Sequence, residues 1–537
     1  MVLKQQLSSA VAQHTAPPTA FTNAMIYDGS GSEPFPGNVC MKDGRISAVT
    51  PPDCPVSKEY QIFPAGGLSL APGFIDPHSH SDLAVLACPE SFSKISQGVT
   101  TELVGNCGLS VFPAPPPVQE HLQQLYANYG ISIDWKDLNG YARRIEEAGP
   151  AINIGSLCGH NTLRASVCGY TQKQVNGQHI ANMKQALHCA MEQGAFGLST
   201  GLLYVPGIFS TAEELKQILS VLKEFNAVYA THLRSESQYL LEAVEEALEL
   251  AAAGSGKLQI SHLKTAKPEN WHKITEVLAC IENARRNGLQ VTADRYPYTM
   301  SQTNLSIILP EPYASMPDRL IQETLSGDEE RCKELIGQLR EQGISGDILL
   351  SATNDPRCEK LLGQPFVRIA QQLNLEPEVL LTGLMRDHAI NTMGAFGGLS
   401  PENLTALLQQ KWLCCGSDEN IRPADYRIGR GHPRAFGSFP RFIQMVRQKN
   451  TLAEAIRRVT GLPASIFGIR DRGLIRQGFA GDLLLFDPDR LQDRADFAAP
   501  HTPAEGIHTV CVNGWIAFSD GTVRKRAGKF LRYSRNL

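Results

Sequence analysis

The middle of the chain alternates short apolar runs with longer stretches of helical periodicity. The apolar runs are GFIDPHSH, VTTELVGNC, INIGSLCGH, GAFGLSTG, AVYATHLR, LQISHLK, QVTADRYPY and WLCCGSDE. Between several of them lie segments such as TAEELKQILSVLKEF and SQYLLEAVEEALELAA, in which apolar residues recur at helical spacing. Eight strand candidates joined by helical crossovers predict an α/β fold with a (β/α)8 barrel of the TIM type over residues 71–465.

Both ends of the chain follow a different pattern. Residues 20–70 and 466–537 contain short strands broken by Gly, Asp and Asn turns, as in GNVCMKDGRISAV and HTVCVNGWIAF. Two β-rich ends that flank a barrel predict one small β-sandwich built from both termini. Residues 1–19 contain only scattered apolar positions and no continuous apolar segment, so a flexible tail is expected there.

The distance between the seventh and eighth apolar runs is unusual. About 110 residues, from 300 to 411, separate them. A connection of that length in a compact domain is usually an insertion or a lid. We therefore expect an inserted lid subdomain over 300–411, rising from the same face as the barrel's chemistry.

The amino-acid composition argues against several classes of protein. The chain has 537 residues, of which 42% are hydrophobic and 19% charged, with a formal net charge of −4. This balance predicts a globular chain without the basic surface that nucleic acid or an anionic membrane requires. The 13 cysteines are scattered and form no CxxC pair, so we expect no disulfide framework and a cytoplasmic location. The residues indicate no oligomeric state.

Candidate metal ligands stand at the ends of the apolar runs. His78 and His80 are two residues apart on a strand, so both rings share one face. His232, His262 and Asp418 each end another run, in phase with residues predicted to face inward. Four histidines and one carboxylate at the same end of one barrel predict a metal-dependent hydrolase site.

The order of these ligands resembles that of the amidohydrolase superfamily, in many members of which a carboxylated lysine or a glutamate bridges two metals. Lys94 precedes ISQGVTTELVGNCG and lies outside the strand end, and the position of the bridge carries Cys107. The motifs PGFIDPHSHSD, GNCG, GLSTGLLYVPG, THLRSE, SHLK and GHPRAFGSFPR resemble those of the N-acyl-D-amino-acid deacylases, or D-aminoacylases, over residues 23–486.

The resemblance implies a zinc-dependent hydrolysis of the amide bond of N-acyl-D-amino acids. Cys107, His232 and His262 would bind one Zn²⁺ tightly, with a fourth position open, as a catalytic zinc requires. His78, His80 and Asp418 would form a second, weaker metal site. Asp418 would also act as the catalytic base that takes a proton from water and delivers it to the departing amine.

The substrate is expected to be a small N-acyl amino acid whose α-carboxylate needs cationic partners. Lys264 lies two residues after His262 and shares its inward face. The resemblance adds Tyr296, Arg434 and Tyr204 as substrate-binding residues. Arg295 is a further cation that would favour an acidic side chain, but strand alternation points it away from the face of Tyr296. We expect His160 and Arg164, in GHNTLR, to be structural.

Two other functions are consistent with the same barrel. A cyclic-amide hydrolase of the hydantoinase type would use the bridging lysine that Cys107 replaces here. A non-enzymatic scaffold on a hydrolase barrel would typically have lost metal ligands, whereas every expected ligand position is filled. The D-configuration of the substrate follows from the resemblance alone.

Overall fold

Strands from both ends of the chain form one sheet in the computed structural model, which describes residues 15–172 and 174–534. They are β1 (Thr19–Ile26), β2 (Phe35–Lys42), β3 (Arg45–Thr50), β4 (Gln61–Pro64), β5 (Ser69–Pro72), β18 (Leu483–Phe486), β19 (Ile507–Val512), β20 (Trp515–Ser519) and β21 (Thr522–Val523). Their order is β21-β20-β19-β18-β5-β1-β2-β3, and β4 pairs with β1. The antiparallel pair β5 and β18 joins the two ends, with Ala71 opposite Leu484. A β unit built from both termini is confirmed.

Two tight turns of this sheet follow from dipeptides in the sequence. Asp43 and Gly44 join β2 to β3, Asn513 and Gly514 join β19 to β20, and all four residues have positive φ. Hairpin turns of type I′ need positive φ at both central positions, which Asn, Asp and Gly tolerate best. Members of the apolar core of this unit include Phe21, Ile26, Val39, Met41, Leu70, Leu483 and Leu485.

Eight parallel strands form the predicted (β/α)8 barrel. Barrel strands one to eight are β6 (Phe74–Asp76), β7 (Val99–Val104), β8 (Asn153–Ser156) continued by β9 (Cys158–Gly159), β10 (Gly197–Gly201), β11 (Val228–His232), β12 (Lys257–Ile260), β13 (Gln290–Arg295) and β17 (Leu413–Cys415). Hydrogen bonds connect them in the orders β6-β7-β8 and β9-β10-β11-β12-β13-β17. Each predicted apolar run therefore supplies a strand.

The barrel closes differently between strands eight and one. Within the two described ranges no ladder joins β17 to β6, and an isolated bridge pairs Ser79 with Glu419 beyond the strand ends. Nearby, the Asp418 N–H donates to the His78 carbonyl over 2.8 Å. We call this junction the seam. It lies directly beside the predicted ligands.

Helices cover the outside of the barrel, and several begin at a side-chain cap. Thr211 and Thr451 accept backbone N–H groups of the helices that follow them, which satisfies donors that a helix start leaves free. The barrel helices and those of its loops are Ala84–Ala87, Phe92–Ile95, Pro116–Leu125, Leu138–Ala148, His160–Cys168, Gly177–Glu192, Ala212–Leu219, Leu222–Phe225, Leu240–Ala253, Ile274–Arg286, Pro401–Leu408, Arg434–Arg447, Leu452–Arg457 and Gly461–Phe467.

The long connection before strand eight contains a unit with its own core. Its strands β14 (Ser301–Asn304), β16 (Met393–Phe396) and β15 (Ile348–Ala352) form one antiparallel sheet in that order. Its helices are Asp318–Leu325, Glu329–Gln342, Phe366–Gln372 and Pro377–His388. Buried residues from Leu305 to Ala389 form a separate apolar cluster. The last helix of the range 300–411, Pro401–Leu408, instead packs in the main core through Leu404 and Leu407.

The N-terminal boundary differs from the expected one. The predicted tail over residues 1–19 lies outside the described residues as far as residue 14, and Thr19 already belongs to β1. Among the helices of the described ranges, none has the length and apolar character needed to cross a membrane.

Candidate metal and substrate site

Four of the predicted ligands lie together at the carboxyl end of the barrel. His78, Cys107, His262 and Asp418 follow strands one, two, six and eight, and their possible ligand atoms all lie within 4.8 Å of one another. His78, Cys107 and His262 are buried, and the Asp418 side chain is 12% exposed. Imidazole, thiolate and carboxylate together are a donor set that suits a divalent ion such as Zn²⁺. The structure thus brings residues that are distant in sequence into one cluster.

Three of these residues have a left-handed backbone. The φ angles are +51° at Cys107, +35° at His262 and +52° at Asp418. An L-residue pays about 1–3 kcal/mol for such a conformation, and these conformations concentrate at functional sites. Each lies beyond the last residue of its strand, where the chain no longer follows the two-residue alternation. The backbone is therefore bent at the positions that bring these side chains together.

Cys107 lies in the middle of the cluster. Its Sγ is 3.4 Å from His78 Nε2 and 3.6 Å from His262 Nε2. Burial raises the pKa of this thiol, but the neighbouring histidines, His78 above all, outweigh burial and hold it well below its usual value. A thiolate is the form that binds metal. The cluster therefore favours the ligating state of Cys107.

The glycines beside Cys107 are required by close packing. Gly105 and Gly108 have φ of +76° and +75°. A Cβ at Gly105 would lie 2.2 Å from the carbonyl oxygen of Leu157, and one at Gly108 would lie 2.2 Å from Asn161 Oδ1. Only glycine fits these contacts together with this backbone conformation. The GNCG motif is thus a turn that holds the thiol in place.

His232 provides a buried imidazole beside this cluster. Its ring centroid is 4.4 Å from that of His262. Both of its ring nitrogens are buried without a hydrogen-bond partner, although buried polar atoms are normally satisfied. Burial is the main influence on its pKa, which it lowers. A neutral, unpartnered imidazole at this position fits a metal ligand.

Glu236 is a site residue that the sequence analysis missed. Its Oε1 is 2.9 Å from His262 Nδ1 and also binds the ammonium group of Lys264. Burial raises the pKa of Glu236, but Lys264 and the two histidines outweigh burial and lower it. A carboxylate on Nδ1 fixes the ring so that Nε2 faces the ion, as is usual for ligating histidines. The available signal was its position in THLRSE, four residues after His232.

Asp294 plays the corresponding part for His78 and was also missed. Its Oδ1 lies 2.9 Å from His78 Nδ1 and accepts the His262 N–H over 2.9 Å. Its Oδ2 accepts the Gln259 amide over 2.9 Å. Asp294 thereby supports two ligands that follow different strands. Its position two residues before Tyr296 on strand seven was the available signal.

Asp418 connects the histidine pair with a cation. Its Oδ1 is 3.1 Å from His80 Nε2, and its Oδ2 is 2.8 Å from the guanidinium of Arg434. Burial raises the pKa of Asp418, but Arg434 and the surrounding histidines hold it well below its usual range. The carboxylate is therefore ionised beside the ligand cluster, in the state that a base requires.

The four predicted substrate-binding residues surround the same cluster. The Tyr204 ring centroid is 4.8 Å from that of His232. Lys264 Nζ is 2.9 Å from His262 Nδ1 in addition to its contact with Glu236. The Tyr296 hydroxyl is buried without a hydrogen-bond partner.

The orientation expected for Arg295 was wrong. Its guanidinium lies 4.0 Å from the centroid of the Tyr296 ring, and that of Arg434 lies 4.7 Å from it. Arg295 is the last residue of β13, so alternation no longer separates it from Tyr296. Its Nη2 donates to the Tyr298 carbonyl over 2.9 Å. Burial raises the pKa of the Tyr296 hydroxyl, but Lys264 and the two arginines outweigh it and lower that pKa.

His160 and Arg164 lie outside the ligand cluster. Both lie on the helix that follows strand three and face Glu214, at 3.6 Å from His160 Nε2 and 3.3 Å from Arg164 Nε. All three residues are buried. This arrangement is consistent with the structural role predicted for them.

Comparison with known proteins places this site in a family. Residues 61–518 match the amidohydrolase family. The N-acyl-D-glutamate deacylase of Alcaligenes xylosoxydans xylosoxydans is 32% identical, covering 95% of this chain and 96% of its own. The D-aminoacylase of the same organism is 30% identical over 91% and 92% of the two chains.

A solved structure agrees over nearly the whole chain. The N-acyl-D-glutamate deacylase of Bordetella bronchiseptica, in complex with zinc and a phosphonate mimic of the tetrahedral intermediate, is 30% identical with a TM-score of 0.79. The alignment covers 96% of this chain and 100% of that one. The match to the amidohydrolase family, over residues 61–518, includes every predicted ligand position from His78 to Asp418. The chain therefore belongs to the amidohydrolase family and, within it, to the N-acyl-D-amino-acid deacylases.

Proposed function

We propose that this chain hydrolyses the amide bond of N-acyl-D-amino acids with the help of bound zinc, releasing a carboxylate and a free D-amino acid. The observation that carries the proposal is the buried set of Cys107, His262 and the unpartnered His232, with the ionised Asp418 beside it. The similarity to two deacylases supports the substrate class.

Cys107, His232 and His262 are the residues that we assign to the tighter zinc site. We assign His78, His80 and Asp418 to a second, weaker one. When bound, zinc polarises the amide carbonyl and makes water more acidic. Three protein ligands leave a coordination position for a reactant, as in catalytic rather than structural zinc sites.

Asp418 is the residue to which we assign proton transfer. Its low pKa keeps the carboxylate free to accept a proton from water, and the protonated acid can then donate to the departing amine. Its contacts with His80 and Arg434 fix the carboxylate from two sides. Such fixed placement is what an acid–base group needs in order to act in one geometry.

The α-carboxylate of the substrate is assigned to Lys264, Arg434 and Tyr296. Lys264 and Arg434 already hold carboxylate oxygens, those of Glu236 and Asp418. Both cations therefore lie where a carboxylate can be bound, and the Tyr296 hydroxyl is a donor still without a partner. Tyr204, beside His232, is assigned to the edge of the same pocket.

Cyclic-amide hydrolysis is the alternative within hydrolases. A hydantoinase-type site would use a lysine to bridge two metals, whereas the central atom of the donor cluster here is the Cys107 sulfur. The scaffold alternative is disfavoured because the cluster retains its imidazoles, thiol and carboxylate together with their supporting carboxylates, Asp294 and Glu236.

A substrate panel tests the proposal. Zinc-loaded protein is incubated with N-acetyl-D-amino acids, their L-enantiomers, and a hydantoin, and release of free amine or ring opening is measured. We expect hydrolysis of D-substrates and little of L-substrates. Equal or faster turnover of the L series would contradict it, ring opening alone would favour the cyclic-amide alternative, and zinc binding without hydrolysis would favour a scaffold.

We also propose that the protein works in the cytoplasm on a small molecule, without nucleic acid or membrane as partner. The cysteines are scattered along the chain and form no CxxC pair, which is consistent with a reducing compartment. Measuring free thiols in the protein isolated from its own cells under alkylating conditions would test this.

A further inference from the structure

Lys94 has a place in the fold that metal bridging does not explain. It lies on the short helix Phe92–Ile95 between strands one and two, and its side chain is fully buried. Its ammonium binds Asp76 Oδ2 at 2.7 Å, Ser417 Oγ at 2.7 Å and the Glu419 carbonyl at 3.0 Å. Glu102 Oε2 lies 3.4 Å away. One lysine thus contacts residues of strands one and two and the segment after strand eight.

These contacts cross the seam. Within the described ranges, strands eight and one share no ladder, and an isolated bridge lies beyond their ends. Asp76 on strand one accepts the Ser417 N–H over 3.0 Å and the Ser417 hydroxyl over 2.5 Å. Its Oδ1 also accepts the His78 N–H over 3.2 Å. Side chains therefore add to the sparse backbone pairing of the seam, which lies beyond the strand ends.

The seam carries functional groups on both sides. His78 and His80 follow Asp76 directly, and Asp418 follows Ser417. The separation between His80 and Asp418, 3.1 Å, is consequently set by how the two chain ends are held together. A small shift in such a pair changes proton transfer and metal binding, since both depend on sub-ångström placement.

We propose that Lys94, acting with Asp76 and Ser417, is a positioning residue that closes the barrel seam and thereby fixes Asp418 relative to His78 and His80. It does not contact the substrate and is distinct from the metal-bridging lysine of related hydrolases. The inference builds on the proposed function, because it assigns a purpose to the geometry of the same site.

Removing the ammonium alone is a severe change. Lys94→Met would leave Asp76 and Glu102 buried without their cation, which is strongly destabilising. A milder variant is Ser417→Ala, which deletes one hydroxyl between Lys94 and Asp76 and keeps both charges. A matched control is Asp482→Asn. Asp482 is also buried in an ion pair, with Arg472 at 3.2 Å, and contacts Asn153 at the opposite end of the barrel.

The experiment combines kinetics with crystallography on the full zinc-loaded chain. For Ser417→Ala we expect kcat to fall about 10-fold, KM to stay within about twofold, and the His80–Asp418 separation to lengthen beyond hydrogen-bond distance. For Asp482→Asn we expect a lower Tm with wild-type kcat and separation. An unchanged separation in Ser417→Ala, or an equal loss of kcat in both variants, would overturn the inference. If the chain hydrolysed none of the panel substrates, the His80–Asp418 separation measured in the Ser417→Ala crystals would test the inference by itself.

Discussion

The residues that we assign to zinc, which include His232 and His80 beside the ligand cluster, form two halves that are supported in different ways. In the thiolate half, Cys107, His232 and His262 are all nearly inaccessible, and the partner of His262 is the carboxylate of Glu236. In the carboxylate half, the His80 side chain is 25% exposed and Asp418 is 12% exposed. Asp418 also shares its oxygens between His80 and the cation of Arg434. The first half is enclosed, whereas the second combines a fully buried His78 with partly exposed His80 and Asp418, whose carboxylate contacts the Arg434 cation.

This difference explains why one half would hold an ion more firmly. The Cys107 thiolate and the His232 ring, whose two nitrogens have no hydrogen-bond partner, are available to coordinate an ion. Asp418 must give up part of its interaction with Arg434 to bind a second ion. A carboxylate engaged in this way is less available to bind a metal permanently. We therefore propose that the thiolate half holds the zinc and that Asp418 of the carboxylate half transfers the proton.

The largest effect is expected from Cys107→Ala. Zinc supplies several kcal/mol of transition-state stabilisation, so turnover should fall about a thousandfold or more together with zinc content. Activity on the best panel substrate and zinc per chain are measured after dialysis. Cys158→Ala is the control, because Cys158 is buried on strand three outside the cluster. Loss of activity in Cys107→Ala with zinc retained would contradict the assignment of Cys107 as a zinc ligand of the thiolate half.

Asp418→Asn separates the two halves. Loss of the base should lower kcat by about 10² to 10⁴-fold, while zinc in the thiolate half remains. Turnover and zinc content are measured side by side, with Asp355→Asn as control, since Asp355 is a buried, ion-paired aspartate of the inserted unit. Near-normal turnover with intact zinc would show that proton transfer is assigned to the wrong residue.

Glu236→Gln tests the support of the thiolate half. The amide cannot neutralise Lys264 or accept as strongly from His262, so zinc affinity or kcat/KM should fall about 10–100-fold. Competition with a chelator measures the affinity. Glu246→Gln removes a comparable ion pair, with Arg234 at 2.9 Å, and should change neither quantity. Equal effects of the two variants would show that Glu236 has no specific role in supporting the zinc ligands.

The smallest effect is expected from His80→Ala. It should weaken a second equivalent of zinc and leave the first in place, with turnover lowered about 10-fold, because it removes one of the two contacts that fix Asp418. Isothermal titration of the zinc-free protein counts the equivalents. The control is His188→Ala, at a partly exposed histidine paired with Glu224. It should change neither the number of zinc equivalents nor the turnover. Loss of the first equivalent in His80→Ala would contradict the division into two halves.

Much of the fold and the ligand set could be predicted because strand periodicity and strand ends are local features. The HxH pair and Cys107 stand out at strand ends, and each predicted apolar run is a barrel strand. Asp294 and Glu236 were missed because a supporting carboxylate has no motif of its own. It is recognised by the ring nitrogen that it contacts, which only the three-dimensional arrangement shows.

Arg295 and Lys94 are two residues whose side-chain positions could not be predicted from sequence patterns. The rule of alternation fails for Arg295 because β13 stops there and the following backbone turns freely. Lys94 lies on the short helix between strands one and two, which follows Ser91, a residue with a left-handed φ of +48°. Its contact with Ser417 joins residues that are more than 300 positions apart in the sequence. No local pattern records such contacts.

The most direct test of the central claim, that the Cys107 thiolate is the ligand in place of a bridging lysine, is the absorption spectrum of the cobalt-substituted protein. The account predicts a thiolate-to-cobalt charge-transfer band in the near ultraviolet for the wild type. It predicts that Cys107→Ala lacks this band while its circular dichroism still shows a folded barrel. A band of unchanged intensity in folded Cys107→Ala would contradict the claim.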